Sequence, residues 1–262
     1  MSYKIKDVIK IIEDFAPLSL QAEYDNSGLM LGDIEKELTG VMLALDTTEA
    51  VVEDAVNQGC NLIVEHHPSI FYPIKRIDYR LPSHKAIVKA IKNDIAVYAA
   101  HTNMDFAQGG LNDYVAQKLK LQNIYCLNGD TASARLGQPH KEFTLGAFAD
   151  FVSVVLGDKN VITIGEESMQ VNKVGVINGA GGSDADILLA LKEEGANIFV
   201  TADVKYAFAR FAKELNYGII CFGHYDSEIC FADLTQNLLK SKISDIKIVK
   251  TNKCLNPYNN RR

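Results

Sequence analysis

A strand, a capped helix and a second strand read at residues 41–64 recur at residues 174–200, and this duplication constrains the fold more than any other feature. The first copy runs Val41-Met42-Leu43-Ala44-Leu45, a cap at Asp46-Thr47-Thr48-Glu49, a helix to about Gln58 closed by Gly59, then a strand over 61–64. The second runs Val174-Gly175-Val176-Ile177, a cap, a helix and Gly195-Ala196-Asn197-Ile198-Phe199-Val200. Each copy continues through a helix to a further strand, over 95–100 and 218–222, that ends beside a histidine, His101 or His224. Short apolar runs alternating with helical patterns read as parallel strands buried on both faces, and their repetition marks a duplicated unit. Gly129, Gly137 and Pro139 interrupt the periodicity over 128–140. The expected division is a first lobe of residues 1–127 plus 222–262 and a second of residues 128–221.

Polar residues gather where these strands end. Ile63-Val64-Glu65-His66-His67-Pro68 is a buried strand stopped by proline after two adjacent histidines. Neighbouring side chains inside a strand point to opposite faces, so two histidines can share a ligand only where the chain turns. In open α/β sheets the crevice beyond the carboxyl ends of the strands is where ligands bind. The strand over 95–100 delivers His101-Thr102-Asn103-Met104-Asp105 to the same edge. Gly223-His224-Tyr225-Asp226-Ser227-Glu228 follows the strand over 218–222, with His224 expected in the entry loop of the last long helix and Glu228 in its first turn. Four of the six histidines in the chain belong to this set. Imidazoles mixed with carboxylates suit zinc, iron, manganese, cobalt or nickel, whereas calcium and magnesium prefer oxygen shells. The expected fold class is thus α/β, with two similar α/β lobes, each a βαβαβ-like unit, facing a central metal-containing cleft.

Two other motifs have readings of their own. Tyr24-Asp25-Asn26-Ser27-Gly28-Leu29 is turn chemistry, since Asx side chains bond their own backbone and glycine accepts positive φ; it predicts a tight turn into a short strand. Asn178-Gly179-Ala180-Gly181-Gly182-Ser183 stands between a strand and a helix. It lacks the Lys-Ser/Thr of a P-loop and does not complete Gly-x-Gly-x-x-Gly, so capping by Ser183 with Asp186 is set against backbone binding of a phosphate. No Ser or Cys triad is evident, and a metal-activated water needs none.

Composition excludes several classes. With 47% hydrophobic and 23% charged residues the chain reads as globular. A net charge of −6 with dispersed basic residues argues against nucleic-acid binding. The five cysteines are odd in number and contain no Cys-x-x-Cys, which fits buried thiols in a reducing compartment. The amino end enters an amphipathic helix pattern (Ile5, Val8, Ile9, Ile12, Phe15, ended by Pro17) with no apolar signal core, and no apolar run reaches the roughly 18 residues of a membrane span. A cytoplasmic location is the expectation.

Taken together, Tyr24–Leu29, Glu65-His66-His67-Pro68, His101–Asp105, Gly179–Ser183 and Gly223–Glu228 resemble the GTP cyclohydrolase I type 2 homologues, also known as NGG-interacting factor three-like proteins, nearly end to end. The resemblance implies that His66, His67, Asp105, His224 and Glu228 bind two divalent metal ions and that His101 lines the same pocket, where it is the candidate catalytic proton carrier. It implies two α/β lobes and a ring-shaped homohexamer. It suggests a hydrolase acting on a nucleotide-like or other anionic small molecule; the alternative is a non-catalytic metal-binding scaffold that docks a protein or nucleic-acid partner. Tyr24 stands where the family often has Trp, and the chain is too short for the inter-lobe insertion that some members carry.

Overall fold

Ile5, Val8, Ile9 and Ile12 line the buried face of the first helix, α1 (Ile5–Phe15). Pro17 follows directly and lacks the N–H that a further helical turn would use. The computed structural model describes residues 2–129, 134–254 and 256–258. Next come β1 (Gly28–Leu31), β2 (Val41–Ala44), α2 (Glu49–Asn57), β3 (Leu62–Glu65), α3 (Pro82–Lys92), β4 (Ala96–Ala99) and a five-residue helix, α4 (Thr102–Phe106). Thr48 caps α2 by accepting from the Val51 N–H at 3.3 Å, and Gly59 closes it at φ +67°.

The second run comprises α5 (Leu111–Lys118), β5 (Gln122–Cys126), β6 (Arg135–Gln138), α6 (Leu145–Leu156), β7 (Ile162–Ile164), β8 (Val174–Val176), α7 (Ala185–Glu193), β9 (Ile198–Ala202), α8 (Tyr206–Glu214), β10 (Gly218–Phe222) and α9 (His224–Glu228). The chain ends through α10 (Phe231–Lys242) and β11 (Ile248–Lys250).

Two compact units result. One holds Met1–Ala107 with Phe231–Leu255, the other Gln108–Cys230 with Asn256–Arg262. The first unit's sheet has the order β1-β4-β3-β2-β11, and the second's has β5-β6-β8-β9-β10-β7. In each, three parallel strands (β2, β3, β4; β8, β9, β10) carry an antiparallel strand on the last of them, β1 on β4 and β7 on β10. The duplicated α/β lobe is therefore present, preceded in each copy by a helix, α1 or α6.

Every residue of β2, β3 and β4 is buried, as continuous apolar runs in a parallel sheet require. In the second unit Leu188, Leu191, Phe199, Phe208, Ala212 and Ile219 form one core.

The units divide at Ala107/Gln108 and Cys230/Phe231, rather than at 127/128 and 221/222. The physical reason is that α5 and β5 pack on β6 of the second unit, whereas α10 packs on β2 of the first and β11 pairs with β2. The expected boundary over 128–140 takes in β6, which pairs with β5 and β8 inside the second unit, and residues 130–133 lie outside the described residues. The last long helix does not begin at residue 223: α9 is a separate short helix, and α10 starts at Phe231. Among the described residues all five cysteines are free thiols, and no helix is long and apolar enough to cross a membrane.

Candidate metal centre

His66 and His67 follow β3 directly, and Glu65 shapes the turn they sit on. Its fully buried carboxylate accepts from the Ser69 N–H at 2.7 Å, folding the chain back around Pro68. Burial pushes the Glu65 carboxyl up to about 7, against the hydrogen bond from the Ser69 N–H that lowers it.

In the first unit the structure brings His66, His67, His101 and Asp105 together. The His66 ring centroid is 5.1 Å from that of His67 and 5.2 Å from that of His101. Each of the three offers a ring nitrogen, and those nitrogens lie within 4.8 Å of one another. His66 Nε2 is 3.7 Å from Asp105 Oδ1. Asp105 comes from the first turn of α4, and His66 is fully buried.

In the second unit His224 and Glu228 stand at the two ends of α9, with His224 Nε2 2.8 Å from Glu228 Oε2. Burial draws the His224 pKa down, but the carboxylates of Glu228 and Asp203 more than offset it and hold it at about 9. Glu228 itself is buried. The expectation that His224 and Glu228 reach each other is met, although both lie in α9 and not in the first turn of the long helix.

The orientation of the rings is set by their other nitrogens. His66 Nδ1 is 2.9 Å from the Ala100 carbonyl oxygen, His67 Nδ1 2.8 Å from Asp46 Oδ1, His101 Nδ1 2.7 Å from Asp25 Oδ1, and His224 Nδ1 2.7 Å from Asp203 Oδ2. A carbonyl or carboxylate oxygen only accepts, so each Nδ1 carries the hydrogen, which in a neutral ring leaves Nε2 the lone pair. At His224 a second carboxylate, Glu228, faces Nε2, so that ring donates from both nitrogens in the metal-free fold and must give up the Nε2 hydrogen to bind a cation. That arrangement orients imidazole ligands in metal sites.

The donors therefore fit a divalent cation. Bonds of about 2.0–2.1 Å place donor atoms within roughly 4.2 Å of each other, so nitrogens within 4.8 Å need to close by only a fraction of an ångström.

Asp25, Asp46 and Asp203 were not among the expected site residues, and neither was Gly179. At φ +58° Gly179 would place a Cβ 2.1 Å from Glu228 Oε1, so the close approach of backbone to carboxylate requires glycine. Ser183 does not cap α7. Asp184 does, accepting from the Asp186 and Ile187 N–H groups at 2.9 and 3.3 Å. The Ser183 hydroxyl instead donates to the Asp203 carbonyl at 3.0 Å and accepts from the Lys205 N–H at 2.9 Å. It thereby staples the turn in which Asp203 sits at φ +50°. The Gly179–Ser183 segment thus serves the His224–Glu228 pair.

Residues 3–257 match the profile of the family described as Duf34/NIF3 (NGG1p interacting factor 3). The chain is similar to the GTP cyclohydrolase 1 type 2 homolog of Clostridium perfringens, 33% identical over 261 residues that cover 97% of this chain and 98% of the relative. Among solved structures it resembles a Bacillus cereus protein related to NIF3, at a TM-score of 0.89 and 26% identity over 99% of each chain. It also resembles reduced HcgD from Methanocaldococcus jannaschii, at a TM-score of 0.83 and 28% identity, covering 96% of this chain and 99% of that one.

Proposed function

The chain belongs to the Duf34/NIF3 family, and from that premise we propose that it is a dinuclear metal-dependent hydrolase of a nucleotide-like or other anionic small molecule. His66, His67, Asp105, His224 and Glu228 are the ligands of two divalent ions, drawn from zinc, iron, manganese, cobalt and nickel. His101 is the proton carrier. The observation that carries the reading is the Nδ1 anchoring of all four imidazoles, which fixes the direction in which each ring offers Nε2.

When bound, two ions supply Lewis-acid activation of water and of the scissile group. Asp105 and Glu228 then offset only part of the positive charge, and the remainder favours an anionic substrate. His66, His67 and His224 hold their places through their Nδ1 anchors, and His101, anchored in the same way, accepts a proton at Nε2. The ring-shaped homohexamer implied by the resemblance and the expected cytoplasmic location belong to the same proposal.

Elemental analysis of the purified protein, of Asp105→Ala and of Glu228→Ala, beside turnover on a panel of nucleotides, tests it. The wild type is expected to hold two ions per chain and hydrolyse at least one nucleotide, and each variant to lose metal and turnover while its circular dichroism is unchanged. A wild type that binds no ion ends the proposal. Two tightly held ions without turnover on any nucleotide would favour the scaffold alternative. Light scattering reads the hexamer.

A further inference from the structure

The turn at Tyr24–Gly28 contains more bonding than a turn requires. One Asx bond suffices to reverse a chain, yet the Asp25 side chain is fully buried and accepts at both oxygens. Oδ1 takes His101 Nδ1 and the Asn26 N–H, each at 2.7 Å. Oδ2 takes the Ser27 hydroxyl at 2.9 Å, the Thr102 N–H at 3.1 Å and the Thr102 hydroxyl. Ser27 Oγ also accepts from the His101 N–H at 3.3 Å, so one turn grips both ring and backbone of His101.

The fold explains why the turn is there. β1 pairs antiparallel with β4 through Gly28 and Ala99, which sets the residues before Gly28 over the end of β4. Gly28 has φ +122°, a conformation that lets the chain enter β1 straight after Ser27. Burial works to raise the Asp25 carboxyl, but the hydrogen bonds from His101 and Thr102 more than offset it and hold it well below the usual carboxylate range.

We propose that Asp25 is a positioning residue for His101: it fixes the hydrogen on Nδ1 and so aims the Nε2 lone pair toward His66 and His67. The inference deepens the reading of His101 as proton carrier and rests on it for its consequence in turnover, but the tautomer itself is a property of the metal-free fold. Asparagine cannot replace the carboxylate. Its NH2 group must face either the Asn26 N–H or the Thr102 N–H, neither of which can accept. If it turns toward His101, Nδ1 becomes the acceptor, the hydrogen moves to Nε2, and the inward lone pair is lost.

Long-range 1H–15N correlation spectra of histidine-labelled, metal-free protein test this directly. Wild-type His101 is expected as the Nδ1–H tautomer, and Asp25→Asn is expected to shift the Nδ1–H to Nε2–H ratio about tenfold or more, as loss of one charge-assisted hydrogen bond implies. Ser27→Ala, which removes one donor to the other oxygen, is expected to leave the ratio unchanged. An Nε2–H tautomer in the wild type overturns the inference even if Asp25→Asn does not fold, and so does an unchanged ratio in a folded Asp25→Asn. The two proposals fail separately. Two bound zinc ions with His101 as Nε2–H would remove only the role of Asp25, and Nδ1–H without any bound zinc would remove only the metal centre.

Discussion

Replacing Gly179 by alanine tests whether the glycine-rich segment exists to admit Glu228. The backbone there is at φ +58°, where a Cβ costs about 1–2 kcal/mol. The added carbon would lie 2.1 Å from Glu228 Oε1 and 3.4 Å from His224 Nε2, and ordinary contact begins near 3.4 Å, so the carboxylate must retreat by about 1.3 Å. Glu228 is only 3% exposed and holds His224 at 2.8 Å, so the retreat breaks a charged hydrogen bond of about 1.5–3 kcal/mol. The sum is a loss of about 2.5–5 kcal/mol in urea unfolding of the metal-free protein. Metal geometry tolerates about 0.2 Å, so zinc affinity measured by competition with a chromophoric chelator should fall at least 10–100-fold. Gly195→Ala is the control: it has φ +80° with only the Lys173 amine nearby, at 3.9 Å, and should show the backbone cost with unchanged zinc binding. If Gly179→Ala matches Gly195→Ala in both measurements, the clash reasoning is wrong.

Two further outcomes follow from buried charge. Arg135 is fully buried with its guanidinium 2.8 Å from Asp113, so Asp113→Ala should cost about 3–5 kcal/mol in chemical denaturation, the penalty for a buried charge that loses its carboxylate. The Asp25 carboxyl lies below its unfolded value, so its contribution is fully present above about pH 3.9 and is lost as the pH falls toward the folded value. Metal-free wild type should therefore lose stability as the pH falls from about 4 to 2 more steeply than Asp25→Asn, and parallel profiles would contradict this.

What could be read before the fold was known divides by length scale. The parallel strands were legible because β2, β3, β4, β8, β9 and β10 are apolar on both faces, and their duplication showed in the recurring cap and glycine stop. β5 was missed because it buries none of its residues and so has no hydrophobic alternation to betray it, and β6 because its four residues, Arg-Leu-Gly-Gln, are not an apolar run, although the first three are buried. α4 and α9 span five residues each, too short for a 3.6-residue period to register. The histidines stood out as rare residues at strand ends, but Asp25, 76 positions from His101, was indistinguishable from an ordinary turn aspartate. Asp46 and Asp203, each 21 positions before its histidine, were equally ordinary in caps and turns.

Those three aspartates and one carbonyl share a rule that only the sheets reveal: every imidazole is anchored from the strand next to its own. His66 and His67 leave β3; the first is held from the end of β4 through Ala100, the second from the end of β2 through Asp46. His101 leaves β4 and is held by the turn entering β1, and His224 leaves β10 and is held from the end of β9 through Asp203. Adjacent strands lie about 4.8 Å apart, so parallel neighbours that end in register set a donor beside an acceptor with no added machinery. Ring orientation then depends on backbone pairing deep in the sheet more than on the loops that carry the histidines. Asp46→Ala and Asp203→Ala should consequently weaken zinc binding about 10–100-fold while leaving the unfolding transition near its wild-type position, because both carboxylates are half-exposed and cap no core. A loss of zinc binding that tracked a loss of fold would instead mean that the anchors act through stability alone.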